Sequence, residues 1–158
     1  MNEAGEAGVI PPERRQELLA RIPGFADLPA ELLKELAAGL REEQYPSGRP
    51  VVTEGEIGDR LYLIERGCAE VTTAGPTGPV LLATLESGDL FGEIALLNST
   101  RRRQATVKAL TTLATLSLSA AAFERALAAF PEARLDLATT AEALLTAKYL
   151  KKKSPHTQ

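Results

Sequence analysis

The chain has 158 residues, of which 44% are hydrophobic and 25% charged, with a formal net charge of −3. That is enough chain for one soluble domain with a real core. The acidic balance argues against nucleic acid as the main partner, because phosphate-backbone affinity needs clustered Lys and Arg.

Taken in order, Pro11 and Pro12 open a helical pattern in which Leu18, Leu19 and Ile22 can share a face, and Pro23-Gly24 breaks it. Pro29 then stands where a second helix would start, with Leu32, Leu33, Leu36 and Leu40 as its apolar stripe. Eight of the twelve glycines fall between Gly48 and Gly92, so the middle of the chain reads as short strands separated by turns. The strand candidates are Val51–Thr53, Leu61–Glu65, Ala69–Thr73, Val80–Leu85, Ala105–Ala109 and Leu113–Leu118. In the last of these Ala114, Leu116 and Leu118 alternate with Thr115 and Ser117, the period of a half-buried strand. Ser119 is placed to cap a helix running to Phe130, and Pro131 to open another reaching about Leu150. The expected order is helices, a small antiparallel β-barrel or jelly roll, then helices.

Residues 91–107, FGEIALLNSTRRRQATV, hold the most specific chemistry. Phe91-Gly92-Glu93 ends a turn, and Ile94-Ala95-Leu96-Leu97 gives a single helical turn whose first amides favour an anion. Gly92 lets backbone come close to that anion. Arg103 follows ten positions after Glu93. A guanidinium holds two phosphate oxygens in a fork, whereas a carboxylate accepts hydrogen bonds only and suits a sugar hydroxyl. Taken alone, a glycine–glutamate pair followed by an arginine is more often a turn with surface charge; the surrounding pattern is what sharpens it.

The stretch resembles the phosphate-binding cassette of the cyclic-nucleotide-binding domain family, found in kinase regulatory subunits, nucleotide-gated channels and catabolite-activator-type regulators. Further matches are Gly48, Glu54-Gly55-Glu56, Gly58-Asp59, Leu61-Tyr62-Leu63-Ile64, Gly67, Gly88-Asp89, and the lead-in Phe25 with Leu28, so the resemblance covers roughly residues 15–150. It implies an α+β domain over residues 1–158. N-terminal helices would occupy 1–44 and an antiparallel β-barrel (jelly roll, double-stranded β-helix) 45–118, with the cassette at 91–107. B/C-type C-terminal helices would follow at 119–150 and a polar tail at 151–158.

The resemblance also implies a non-catalytic receptor for a cyclic nucleotide that signals by moving its C-terminal helices to an effector, an ion channel, kinase or other protein outside this chain. Glu93 would bind the ribose 2′-hydroxyl and Arg103 the cyclic phosphate, assisted by amides near Ile94 and Ala95, with small Ala105 letting the backbone approach. Val71, Ala83 and Leu85 align with barrel positions that pack on ribose and base. The final helix, with Leu137, Ala141, Leu144, Leu145 and Tyr149 on one stripe, either covers the core or closes as a lid, Leu144, Lys148 and Tyr149 being capping candidates.

Two departures matter. Arg102 stands where many relatives have proline, and Gln104 stands where guanine-selective members often have threonine. The missing hydroxyl favours cAMP over cGMP, although the Gln104 amide can pair with either purine. Arg101 and Arg102 read as solvated loop residues, and Lys148–Lys153 as a solubilising tail. Cys68 permits no internal disulfide, no apolar run approaches a membrane span, and Met1–Gly8 is unlike a secretion signal, so cytoplasm is expected, free or as the cytosolic part of a membrane protein. No cofactor beyond the nucleotide, no metal and no direct membrane contact are expected. The competing readings are a domain of this fold with lost or altered ligand specificity, and a cupin-type metal barrel, which one His at position 156 supports poorly. A DNA-reading regulator would need a helix-turn-helix, for which the eight residues after Leu150 leave no room within this chain, though a longer parent protein could restore it.

Overall fold

The computed structural model of the chain describes residues 10–97 and 100–131. Helix α1 (Pro12–Leu19) begins on a proline, whose absent N–H is one a helix start leaves unpaired anyway. It presents Leu18 and Leu19 to the interior, and Ile22 follows them, all three fully buried. Gly24, at φ 88°, turns the chain into a single 3-10 turn at Phe25–Asp27. Helix α2 (Ala30–Ala38) follows Pro29.

After Gly39 comes a strand, β1 (Arg41–Tyr45). This corrects the expectation that residues up to 44 are helical. The run Arg-Glu-Glu-Gln-Tyr has no apolar alternation to announce a strand. Its backbone is drawn into one by antiparallel pairing with β8 (Leu113–Ser119), from Arg41 opposite Ser117 to Tyr45 opposite Leu113. Tertiary pairing overrides local preference here.

The remaining strands are β2 (Pro50–Val52), β3 (Arg60–Arg66), β4 (Ala69–Gly75), β5 (Gly78–Leu85), β6 (Leu90–Phe91) and β7 (Thr106–Ala109). They form two four-stranded antiparallel sheets, ordered β1-β8-β3-β6 and β2-β7-β4-β5. A short helix α3 (Glu93–Leu97) leaves β6, and α4 (Ala120–Ala129) leaves β8. Ser119 caps α4, its hydroxyl accepting from the Ala122 amide at 3.1 Å.

Strand alternation divides β3 between two cores. Leu61 and Leu63 face Leu18, Ile22, Phe25, Leu36 and Phe123 in the helical layer. Tyr62 and Ile64 face Val71, Leu85, Phe91, Ala105 and Val107 between the sheets. Strand β8 is buried on both faces rather than half-buried, because Thr115 and Ser117 turn inward between the sheets and find partners there. Thr115 donates to the Glu43 carbonyl at 3.2 Å, and Ser117 accepts from Arg60 at 2.7 Å. Buried hydroxyls need such partners. No helix among the described residues is long and apolar enough to cross a membrane.

Candidate functional site

Strand β6 pairs with β3, Phe91 opposite Tyr62 and Leu90 opposite Leu63, and so delivers the chain through Gly92 into α3. Gly92 has φ 87°, a conformation that L side chains resist. A Cβ there would also lie 2.8 Å from Nη1 of Arg103 and 3.2 Å from the Arg60 carbonyl oxygen. Backbone geometry and crowding both demand glycine at this point.

Arg103 is the centre of the site and only 6% exposed. Its Nη1 donates to the Gly92 carbonyl and its Nη2 to the Arg60 carbonyl, each at 2.9 Å. The guanidinium carbon lies 5.9 Å from the Tyr62 ring centroid, within range of a cation–π contact. Burial pulls the Arg103 pKa below its usual value, and Tyr62, Asp59, Glu93 and Glu56 oppose that pull. The side chain remains a cation, as arginine does in proteins. Two of its five donors are used on backbone oxygens, and the fork geometry leaves others to turn toward an anion.

Arg103 is anchored by its backbone as well. The turn between β2 and β3 lies antiparallel against the cassette exit, with Ile57 bridged to Arg102. Gly55 donates to the Arg103 carbonyl at 2.9 Å, Arg103 donates to Glu56 at 2.8 Å, and Gly58 donates to Arg101 at 2.6 Å. Glu93, at the first position of α3, is 5% exposed. A buried carboxylate and a buried guanidinium thus stand at the two ends of one cassette.

The other expected contacts divide. Phe91, Ala105 and Val71 are buried with Tyr62 in the core between the sheets, Ala95 is buried in α3, and Val71 is paired opposite Ala83. Ala83 is only partly buried, whereas Leu85 is 2% exposed and belongs to the core between the sheets. Gln104 is exposed, between the buried Arg103 and Ala105. Ile94 lies in α3. The lid candidates Leu144, Lys148 and Tyr149 fall outside the described residues.

Residues 42–130 match the cyclic nucleotide-binding domain family. This chain belongs to that family. The cAMP-dependent protein kinase regulatory subunit of Yarrowia lipolytica is 46% identical over 109 residues, 69% of this chain and 28% of the relative. A cyclic nucleotide-gated potassium channel of Mesorhizobium japonicum is 36% identical over 119 residues, 75% of this chain and 32% of the channel. Among solved structures, the regulatory domain of Toxoplasma gondii PKA in co-crystal with cAMP superposes with a TM-score of 0.71 at 29% identity, covering 83% of this chain and 51% of that one. The chain therefore spans about a third or less of the curated relatives it matches. The family is a regulatory binding domain and not a catalytic one.

Within this cyclic-nucleotide-binding domain, sequence reasoning left three contributors to the site without a role. Tyr62 stacks on Phe91, with centroids 5.0 Å apart and planes within 6°, and also faces Arg103. Its signal was available, since an aromatic alternates with leucines in Leu61-Tyr62-Leu63 and must face the other layer. Arg60 contributes a carbonyl, which no side-chain pattern reveals. Gly58 contributes an absence of side chain. Arg102, expected in solvent, is exposed but donates to the Gly55 carbonyl at 2.8 Å. Arg101 sits at φ 60° with its guanidinium 3.9 Å from Glu124 of α4. Among the described residues, no group of three or more His, Cys, Asp or Glu converges as a metal site, which leaves the cupin reading without a described ligand set.

Proposed function

We propose that the domain is a receptor for a cyclic nucleotide, cAMP in preference to cGMP. Arg103 pairs with the cyclic phosphate, Glu93 accepts from the ribose 2′-hydroxyl, and Val71, Ala83 and Ala105 line the approach. The observation that carries this reading is the buried Arg103 guanidinium, held by the Gly92 and Arg60 carbonyls, with the buried carboxylate of Glu93 following Gly92 directly. A buried cation with spare donors is suited to an anion that brings its own hydrogen-bond acceptors. The preference for cAMP rests on Gln104, which lacks the hydroxyl common in guanine-selective members, and on likeness to kinase regulatory subunits.

Occupancy would be passed on through α4 and the segment after it to an effector outside this chain, in a cytoplasmic setting. A ligand shifts such an equilibrium only by binding its two states with different affinity.

Calorimetric titration of both nucleotides tests the reading. Binding of cAMP tighter than cGMP is expected, and ligand at about 100 times its Kd should raise Tm by roughly 5–10 °C. Arg103→Ala should weaken binding on the order of 100-fold, since two charge-assisted bonds are lost. Glu93→Ala should weaken cAMP more than 2′-deoxy-cAMP. Absence of heat from either nucleotide at high micromolar concentration would end the proposal.

A further inference from the structure

The turn between β2 and β3 holds two glycines whose reasons for being glycine are opposite. Gly55 has φ 90°, and a Cβ added to it would meet nothing within 4 Å. It is glycine for its backbone. Gly58 has no left-handed φ, so any residue could adopt its backbone. Yet a Cβ there would lie 2.6 Å from Cζ and 2.7 Å from Nε of Arg103, and 2.8 Å from the Cβ of Ala95 in α3. Gly58 is glycine for space alone, and the space is filled by the stem of the Arg103 fork and the first turn of α3.

The far side of that fork has little freedom. Nη1 and Nη2 are fixed on the Gly92 and Arg60 carbonyls, and Tyr62 covers the guanidinium. The Arg103 backbone is tied to the same turn through Gly55 and Glu56. A methyl group at position 58 therefore cannot be absorbed by a slide of the main chain. It must rotate the guanidinium or push α3 away, and α3 carries Glu93 at its start. Packed interiors transmit a displacement of this size rather than damp it.

We propose that Gly58 is a positioning residue for the nucleotide site: by presenting no side chain, it sets the orientation of the Arg103 fork and its distance from α3. The inference rests on the phosphate role of Arg103 given above, and its consequence is that a single methyl group at position 58 lowers affinity without touching the ligand.

The test is a double-mutant cycle read by melting without ligand and by calorimetry with cAMP. Gly58→Ala should lower Tm and weaken cAMP at least 10-fold. On an Arg103→Ala background, where the fork is gone and only the Ala95 contact remains, the same substitution should have a clearly smaller effect on both readouts, because coupling appears only where residues meet. Gly55→Ala is the comparison, a strained substitution with no atom in its way, and its Tm penalty should be equal on both backgrounds. An unchanged affinity for Gly58→Ala, or an equal Tm penalty on both backgrounds, overturns the proposal. Should Gly58→Ala fail to fold alone, folding of Gly58→Ala/Arg103→Ala supports the inference and its failure overturns it. If the native protein binds neither cAMP nor cGMP, the receptor reading falls, while the ligand-free melting cycle still decides the role of Gly58.

Discussion

The Arg103 guanidinium lies 5.9 Å from the centroid of the Tyr62 ring, and the same ring stacks on Phe91 at 5.0 Å. One aromatic side chain thus supports both the cation of the site and the strand that leads into the cassette. A desolvated cation–π contact is worth about 2 kcal/mol, and an aromatic pair about 0.5–1.5 kcal/mol beyond its buried area. Tyr62→Leu should therefore cost about 2–3 kcal/mol in urea denaturation, and Tyr62→Phe, which keeps the ring, less than about 1 kcal/mol. Equal losses would mean that the ring face contributes nothing.

Gly92→Ala should be among the more damaging single-methyl changes. It places an L residue at φ 87° with its Cβ 2.8 Å from Nη1 of Arg103. Backbone strain of this kind costs about 1–3 kcal/mol, which lowers Tm by roughly 3–10 °C in a chain this long. Gly39→Ala provides the contrast. At φ −88°, with nothing nearer its Cβ than 3.6 Å, it should be neutral or stabilise by up to about 1 kcal/mol. Thermal melts of the two variants side by side decide the point.

Tyr45 gives the fold an alkaline weakness. Burial, and then the hydrogen bond its hydroxyl donates to Glu43 at 2.7 Å, hold its pKa well above the ordinary phenol value. Below about pH 10 the phenol is protonated in both folded and unfolded chains, so this contribution is fully present. Above that pH the unfolded chain ionises first, and stability falls until the folded pKa is passed. Denaturation midpoints between pH 8 and pH 11.5 should decline above about 10 in the native protein and decline less in Tyr45→Phe. Tyr62 is shifted in the same direction, with burial as its largest cause, so some slope should survive. A Tyr45→Phe profile that parallels the native one would contradict this account.

What the sequence made legible follows from where the information sits. Proline and glycine punctuation located α1, α2 and most strands, because those residues act on their own backbone. Strand β1 was hidden since Arg41–Tyr45 carries no apolar alternation and owes its conformation to β8, some seventy residues away in the chain. The buried state of Thr115 and Ser117 was equally hidden, because polar alternation reads as solvent exposure until Arg60 and Glu43 are seen to satisfy it. In the site, Glu93 and Arg103 were legible as charges at a distinctive spacing within a matched pattern. The carbonyls of Gly92 and Arg60 that hold Arg103 have no side-chain signature, and the empty place at Gly58 is visible only once the fork has filled it.

Arg103→Lys separates charge from shape at the centre of the site. The two carbonyls that hold the guanidinium belong to different strands' ends, Gly92 after β6 and Arg60 at the start of β3, and a planar fork reaches both at 2.9 Å. An ammonium group keeps the positive charge but offers three donors around one point, not a fork. If the phosphate role proposed for Arg103 rested on electrostatic attraction alone, the lysine variant would bind nearly as well as the native protein. The geometry argues otherwise, because satisfying Gly92, Arg60 and a phosphate oxygen together needs donors spread across a plane. Calorimetry should show cAMP affinity reduced about 10-fold or more, since losing one charge-assisted bond costs about 1.5–3 kcal/mol. The loss should remain smaller than that of Arg103→Ala, which removes the charge as well. Two variants with the same affinity would show that the ammonium recovers nothing and that the fork carries the whole interaction, whereas native affinity in Arg103→Lys would show that charge alone suffices.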